Sequence, residues 1–110
     1  MNRRKLSVAA ICFVCAACTS SGPTVVNELT VPGVTGSFNF DIGQVDNGRY
    51  YLADRTNKAL DVWNSSTYQL LGQIKGTGAL AFAGVGSSND TSGPDGVVVV
   101  PGTNTVYVET

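Results

Sequence analysis

Two polar segments of the sequence carry the side chains best suited to bind a ligand. They hold carboxylates, amides and one guanidinium, and the candidate binding residues are Asp54, Arg55, Asn57, Asn89, Asp90 and Asp95. Carboxylate and amide oxygens are the ligands that Ca²⁺ and Mg²⁺ take in proteins. Asp and Asn also favour turns, because their side chains bond the nearby backbone, and the sequence has no D-x-D-x-D-G calcium loop. Two interpretations follow: a divalent-cation or sugar-like site, and a set of structural turns.

The composition excludes several functional classes. The sequence contains no histidine, which excludes Ser-His-Asp and Cys-His catalysis as well as imidazole metal ligation. All three cysteines, Cys12, Cys15 and Cys18, fall within an N-terminal apolar segment, so no disulfide is predicted for the rest of the chain. Beyond residue 18, four basic residues stand against eight acidic ones. Nucleic acids and anionic membranes attract clustered Lys and Arg, so we expect no nucleic-acid partner.

Short apolar runs separated by turn-forming residues predict an all-β fold. The runs between residues 48 and 75 are Arg49–Ala53, Ala59–Trp63 and Gln69–Ile74. Aromatic and branched side chains suit a pleated surface, so these runs predict an antiparallel meander. The preceding stretch Ser37–Val45 alternates apolar Phe38, Phe40 and Ile42 with polar or small residues, which predicts a fourth strand with one buried face. The Asp46-Asn47-Gly48 sequence that follows is typical of a tight hairpin turn.

The strand pattern starts again after a long Gly/Ser-rich link over residues 77–95. Gly96–Val100 is an unbroken branched run that predicts a strand covered on both faces, and Thr105–Glu109 predicts its partner. When Tyr107 is placed on Tyr51, Val98 falls on Ile42, with an offset of 56 residues throughout. Without the extra length of the link, this offset approaches the ~40 to 50 residues of a four-stranded propeller blade. The sequence therefore predicts one blade (37–76) and the start of a second (96–110).

Three motifs in this region resemble the repeats of NHL- and YVTN-type β-propellers. Tyr51–Trp63 is similar to their "VYVAD" strand, Asn-containing turn and "I-x-V-(F/I)-D" strand. Gly93-Pro94-Asp95-Gly96-Val97 resembles the "GPDG(V/I)" that opens an inner strand, and Asn104–Val108 resembles the start of the next repeat. The resemblance covers residues 38–110. The sequence departs from the pattern at Asn64, where an aspartate is usual, and in the long link.

The resemblance implies a circular array of antiparallel blades, of which this chain would supply an incomplete part. Propellers close with about four to eight blades, so we expect the chain to be a fragment of a longer propeller or else to self-associate. The family's ligand face lies on loops that correspond here to residues 54–58 and 87–95. Its aromatic strand residues, here Tyr50, Tyr51, Trp63 and Tyr107, would pack between blades.

Two functions follow from this resemblance. The first is a binding or scaffold module that presents those loops to a protein or small ligand. The second is the N-terminal part of a gluconolactonase-like propeller enzyme, which would hold Ca²⁺ or another divalent cation with acidic and amide side chains drawn from several blades.

The first eighteen residues have the pattern of an export signal, expected to form a signal helix. Basic Arg3-Arg4-Lys5 precedes an apolar run of about 12 residues, which is too short to span a bilayer. Cys15-Ala16-Ala17-Cys18 resembles a bacterial lipobox, although Cys15 stands where an aliphatic residue is usual. We therefore expect lipidation at Cys18, with a periplasmic or cell-surface protein anchored to the membrane only through that lipid and a linker over residues 19–36. The alternative is an ordinary signal cleaved near Ala17.

Overall fold

The computed structural model describes residues 22–110, which form two antiparallel β-sheets. The strands are β1 (Phe40–Asp46), β2 (Arg49–Asp54), β3 (Ala59–Asn64), β4 (Leu70–Ile74), β5 (Val97–Val99) and β6 (Val106–Val108). The first sheet has the order β1-β2-β3-β4, and β5 pairs with β6 in the second. Single 3-10 turns lie at Gly78–Leu80 and Asn89–Thr91, and residues 22–110 contain no α-helix. The predicted all-β fold with a four-stranded antiparallel meander is therefore confirmed.

The predicted signal helix and the lipidation site at Cys18 lie outside the described residues. Across residues 22–110, no helix is long and apolar enough to cross a membrane.

The turn between β1 and β2 forms where the Asn-Gly pair predicted it. Asn47 has φ 44° and Gly48 has φ 75°, so both central residues are left-handed. Asn and Gly are the residues that tolerate this conformation most readily, and the resulting twist matches that of the flanking strands. Asp46 consequently pairs directly with Arg49.

The core lies between the two sheets, which pack face to face. Tyr51 pairs with Val62 and Ala53 pairs with Leu60, so these four side chains share one face of the first sheet. The core cluster consists of Tyr51, Ala53, Leu60, Val62, Val97 and Val99, with Val106 and Val108 packed against it. The second sheet contributes its residues by the same alternation, because Val97 pairs with Val108 and Val99 pairs with Val106.

The apolar face predicted to be buried in β1 is instead exposed. Phe40 is 56% exposed and Ile42 is 62% exposed. Polar side chains of β1 face the second sheet, where the Gln44 side-chain carbonyl accepts a hydrogen bond from the Val99 backbone N–H at 2.9 Å. The register also shifts between Phe40 and Gly43. The strict alternation predicted for β1 is therefore interrupted by a bulge, and Asp41 and Gln44, three positions apart, both point toward the second sheet.

Two details of the predicted second hairpin are also wrong. Val98 is 59% exposed while its neighbours Val97 and Val99 are buried, so β5 is covered on one face only. The offset of 56 residues does not hold throughout, because the partners Val99 and Val106 are seven positions apart whereas Val45 and Tyr50 are five apart. The connection in the second hairpin is thus two residues longer, and this insertion moves the equivalent of Val98 from Ile42 to Gln44.

Candidate ligand-binding face around Arg55

Arg55 lies at the point where the two sheets meet, directly after β2. Its side chain is 7% exposed. The Nε–H group donates to Asp95 Oδ1 at 3.0 Å, and Nη1 donates to Asn89 Oδ1 at 3.3 Å. Nη2 forms ion pairs with both Asp95 and Asp41. A guanidinium has five N–H donors in a fixed planar array, which allows one side chain to bridge three acceptors.

These partners come from three separate parts of the chain. Asp41 belongs to β1, while Asn89 and Asp95 belong to the long link before β5. The backbone holds the same region together, because the Asn39 carbonyl accepts hydrogen bonds from the N–H groups of Arg55 at 3.1 Å and Thr56 at 3.2 Å. The 54–58 and 87–95 segments, both predicted from sequence as candidate loops, are therefore joined directly through Arg55.

Asp54 and Asn57 have a different role from the other candidates. Asp54 is fully buried, and its two carboxylate oxygens accept hydrogen bonds from the Asn57 backbone N–H at 2.9 Å and from Asn57 Nδ2 at 2.6 Å. The Asn57 amide also donates to the Pro32 carbonyl at 2.9 Å. These two residues close the β2–β3 turn and attach the N-terminal segment to it, in agreement with the structural-turn interpretation.

A cleft of about 320 Å³ lies beside Arg55. Its lining consists of Asp41, Ile42, Arg55, Asn89, Asp90, Asp95, Gly96, Glu109 and Thr110. Four carboxylates and one guanidinium make this cleft acidic. Four of the six candidate residues line it, namely Arg55, Asn89, Asp90 and Asp95, whereas Asp54 and Asn57 do not.

The cleft includes two acids that the sequence analysis did not select. The sequence analysis placed Asp41 on the polar face of β1, opposite the apolar face predicted to be buried, and that pattern gave no signal that Asp41 points toward the second sheet. Glu109 follows β6, and its backbone N–H donates to the Gly96 carbonyl at 2.9 Å. Nothing in the local sequence of Glu109 distinguishes it from an ordinary strand-end acid, because its neighbours in the cleft come from distant segments.

The charge arrangement near Arg55 is that of an ion-pair network. Within the described part of the chain, no group of three or more His, Cys, Asp or Glu side chains is arranged to hold a metal ion. The guanidinium bridges the carboxylates of Asp41 and Asp95, and so satisfies the acids that would otherwise attract a cation. Asp90 and Glu109 are the acids of the cleft that make no ion pair with Arg55.

A second, apolar groove of about 190 Å³ lies at the other end of the first sheet. Its lining is Leu29, Val45, Tyr50, Trp63, Asn64, Ser65 and Tyr68. Burial raises the pKa of the Tyr50 phenol. The indole Nε1 of Trp63 is buried without a hydrogen-bond partner among the described residues. Of the four aromatics expected to pack between blades, Tyr51 belongs to the core between the two sheets, Tyr50 and Trp63 line this groove instead, and Tyr107 is 66% exposed.

Comparison with known proteins adds no assignment. No family model, no curated protein and no solved structure gives a significant match to this chain. The similarity to NHL- and YVTN-type repeats stays a prediction from the three motifs.

Proposed function

We propose that this chain is part of an exported β-propeller-type binding module. The observation that carries the proposal is the stacking of the first sheet on the β5–β6 sheet through a shared apolar core. Neighbouring blades of a propeller are antiparallel sheets that stack in this way around a central axis. The contact between β1 and β5, the first strand of each sheet, supports the same arrangement.

The outer faces of the two stacked sheets also support this proposal. Phe40 and Ile42 are more than half exposed on one side, as are Val98 and Tyr107 on the other. A repeat unit buries its apolar faces against its neighbours. We infer that further blades, or further copies of the chain, cover these two faces.

The binding face in this proposal is the acidic cleft beside Arg55. It is formed by the loop between the second and third strands and by the segment that enters the inner strand β5, which are the ligand-bearing positions in the propellers that the sequence resembles. Asp90, exposed at the cleft, is the acid best placed to meet a ligand from solvent. Such a cleft favours ligands that carry positive charge or many hydroxyl groups.

Chemical-shift mapping on the full chain, with Ca²⁺, spermidine and a neutral disaccharide as separate probes, tests this proposal. We expect one of these probes to shift the amide resonances of residues 87–96 and of Arg55, with shifts that saturate as the probe concentration rises. Asp90→Asn should weaken this binding. Asp46→Asn is the matched control, because Asp46 lies in β1 but outside the cleft. Shifts confined to the groove around Trp63, or none with any probe, would contradict this assignment of the face.

The enzyme alternative is a gluconolactonase-like site completed by residues of further blades. Asp90 and Glu109, the two acids of the cleft that make no ion pair with Arg55, are the observation that favours it, with the remaining ligands to come from those further blades. Lactone hydrolysis that depends on added Ca²⁺ and is lost in Asp90→Asn would support the enzyme, whereas binding without turnover would support the module.

We also propose that the chain is exported as a lipoprotein. This part rests on the Met1–Cys18 pattern alone.

A further inference from the structure

Two aspartates are fully buried on the face of the first sheet that points away from the core. Asp54 ends β2 and Asp61 lies in β3, and both have 0% exposure. Asp54 pairs with Ala59, and Leu52 pairs with Asp61, so the two acids are diagonal neighbours on the same face. Diagonal positions across an antiparallel pair are within side-chain reach. Two carboxyl groups in one buried location cannot both be ionised without a large cost.

The hydrogen bonds divide unequally between the two acids. Both oxygens of Asp54 accept hydrogen bonds, as described above. Asp61 Oδ1 accepts one from Gln73 Nε2 at 2.9 Å, but Asp61 Oδ2 is buried with no partner among the described residues. A buried acceptor left unpaired is costly, whereas a protonated oxygen becomes a donor and can bond a neighbouring carboxylate.

We propose that Asp61 and Asp54 hold one proton between them, carried on Asp61 Oδ2 and donated to the Asp54 carboxylate, and that this pair makes the 54–58 turn tighter in acid than at neutral pH. No covalent step is involved. The proton is taken from solvent on acidification and returned to it as the pH rises.

The electrostatics of Asp61 agree with this assignment. Its pKa is raised from 3.8 to about 6, chiefly by burial and also by the charge of Asp54 and a hydrogen bond to it. The Gln73 hydrogen bond and the positive charge of Lys75, which follows β4, act in the opposite direction. Because the folded-state pKa is above the unfolded value, the folded state binds more protons between these two values. The stabilisation is complete below about pH 3.8 and is lost as the pH rises to about 6.

The 54–58 turn is the part of the molecule that responds to the loss of the proton from Asp61. When Asp61 loses its proton, its new charge lies beside the Asp54 carboxylate that holds Asn57. Repulsion between the two carboxylates weakens the hydrogen bonds that Asp54 accepts from Asn57. Arg55 is the next residue along the chain, so the ion pairs that join the two sheets begin at the same turn.

Carbon NMR of the aspartate carboxyl groups in the full chain tests the shared proton directly. We expect the Asp61 carboxyl carbon to titrate with a midpoint near pH 6. The hydrogen-exchange protection factor of the Asn57 backbone N–H, which donates to Asp54, should fall as the pH rises through the same range. A midpoint near 3.8, the ordinary value for this group, would overturn the proposal.

Asp61→Asn provides the second test, since an amide reproduces the protonated acid by donating to Asp54 and accepting from Gln73. The equilibrium constant for unfolding is measured for the wild type and for Asp61→Asn at each pH. The ratio of the wild-type constant to the variant constant should increase by up to about 100-fold as the pH rises from 4 to 7. The control Asp46→Asn removes an acid from the same sheet and should keep the wild-type pH dependence. An unchanged pH dependence in Asp61→Asn would overturn the proposal, and if this variant does not fold, the wild-type titration and the Asn57 protection factors decide.

Discussion

Arg55 Nε donates a hydrogen bond to Asp95 Oδ1 at 3.0 Å, and this contact joins residues forty positions apart, one directly after a strand of the first sheet and the other just before a strand of the second. The same guanidinium bonds Asn89 and Asp41. One side chain thus links the first strand, the β2–β3 turn and the link before β5. Its removal would leave two carboxylates close together with no counter-charge.

Arg55→Ala should therefore destabilise the packing of the two sheets. Removing one partner of a fully buried ion pair costs about 3 to 5 kcal/mol. The Asp41 and Asp95 side chains are 32% and 26% exposed, so water will partly solvate them, and we expect about 2 to 3 kcal/mol. Urea unfolding measures the loss, and hydrogen exchange should show faster exchange at Asp95, whose N–H bonds the Glu109 carbonyl at 3.0 Å.

Two variants serve as comparisons for Arg55→Ala. Arg55→Lys keeps the charge but lacks the planar array of donors, so it should recover only part of the stability. Arg49→Ala removes an exposed arginine from β2, the strand that Arg55 follows, and should change the free energy of unfolding by less than about 0.5 kcal/mol. Equal effects of Arg49→Ala and Arg55→Ala would show that Arg55 does not join the sheets.

Gly43→Ala should destabilise the first sheet through a clash. A Cβ atom at Gly43 would lie 2.6 Å from Tyr50 Oη and 2.8 Å from the Tyr51 carbonyl oxygen. The tyrosine ring can rotate away but the backbone oxygen of its neighbour cannot, so overpacking should cost about 1 to 3 kcal/mol. Gly36→Ala is the control, because its Cβ meets no atom within 4 Å. Thermal unfolding of both variants checks this prediction, and equal melting temperatures would refute the close approach.

The exposed outer face of β5 should promote association of the full chain. Val98 is 59% exposed, so Val98→Lys should lower the sedimentation coefficient toward that of a monomer while changing the stability little. Val99 is 3% exposed, and Val99→Lys should instead prevent folding, since it places a charge in the core. A wild-type chain that stays monomeric at high concentration would argue against further blades or copies covering this face.

Cys18→Ala should block lipidation and release the protein from the membrane. Lipid attachment requires the Cys18 thiol, so the variant should move from the membrane fraction to the soluble fraction or remain unprocessed. Cys12→Ala, a change within the same apolar segment, is the control and should leave the distribution as in the wild type. If the wild type and Cys18→Ala distribute equally, with the same N-terminus by mass spectrometry, the ordinary cleaved signal is the better interpretation.

The strands of the first sheet could be read from the sequence because their signals are local. Asn47-Gly48 specifies a left-handed turn whatever surrounds it, and the aromatic and branched runs on both sides of the 54–58 segment form strands within one residue of the predicted bounds. The candidate acids and amides were also found locally, since Asp and Asn cluster in turns. Composition alone excluded histidine chemistry.

Tertiary structure decided which face of each strand is buried and which polar side chains meet. Alternation alone puts Asp41 and Gln44 on opposite faces of β1, and only the register shift between Phe40 and Gly43, together with the position of β5, placed both inside and Ile42 outside. The Arg55 network depends on contacts between residues 14 to 40 positions apart, which no local pattern encodes. Asp61 looks like an ordinary strand residue until Asp54 and Gln73 are placed beside it. Local propensity acts over a few residues, whereas burial and electrostatic pairing are set by the three-dimensional neighbours, and those arise only when the strands pair and the sheets stack.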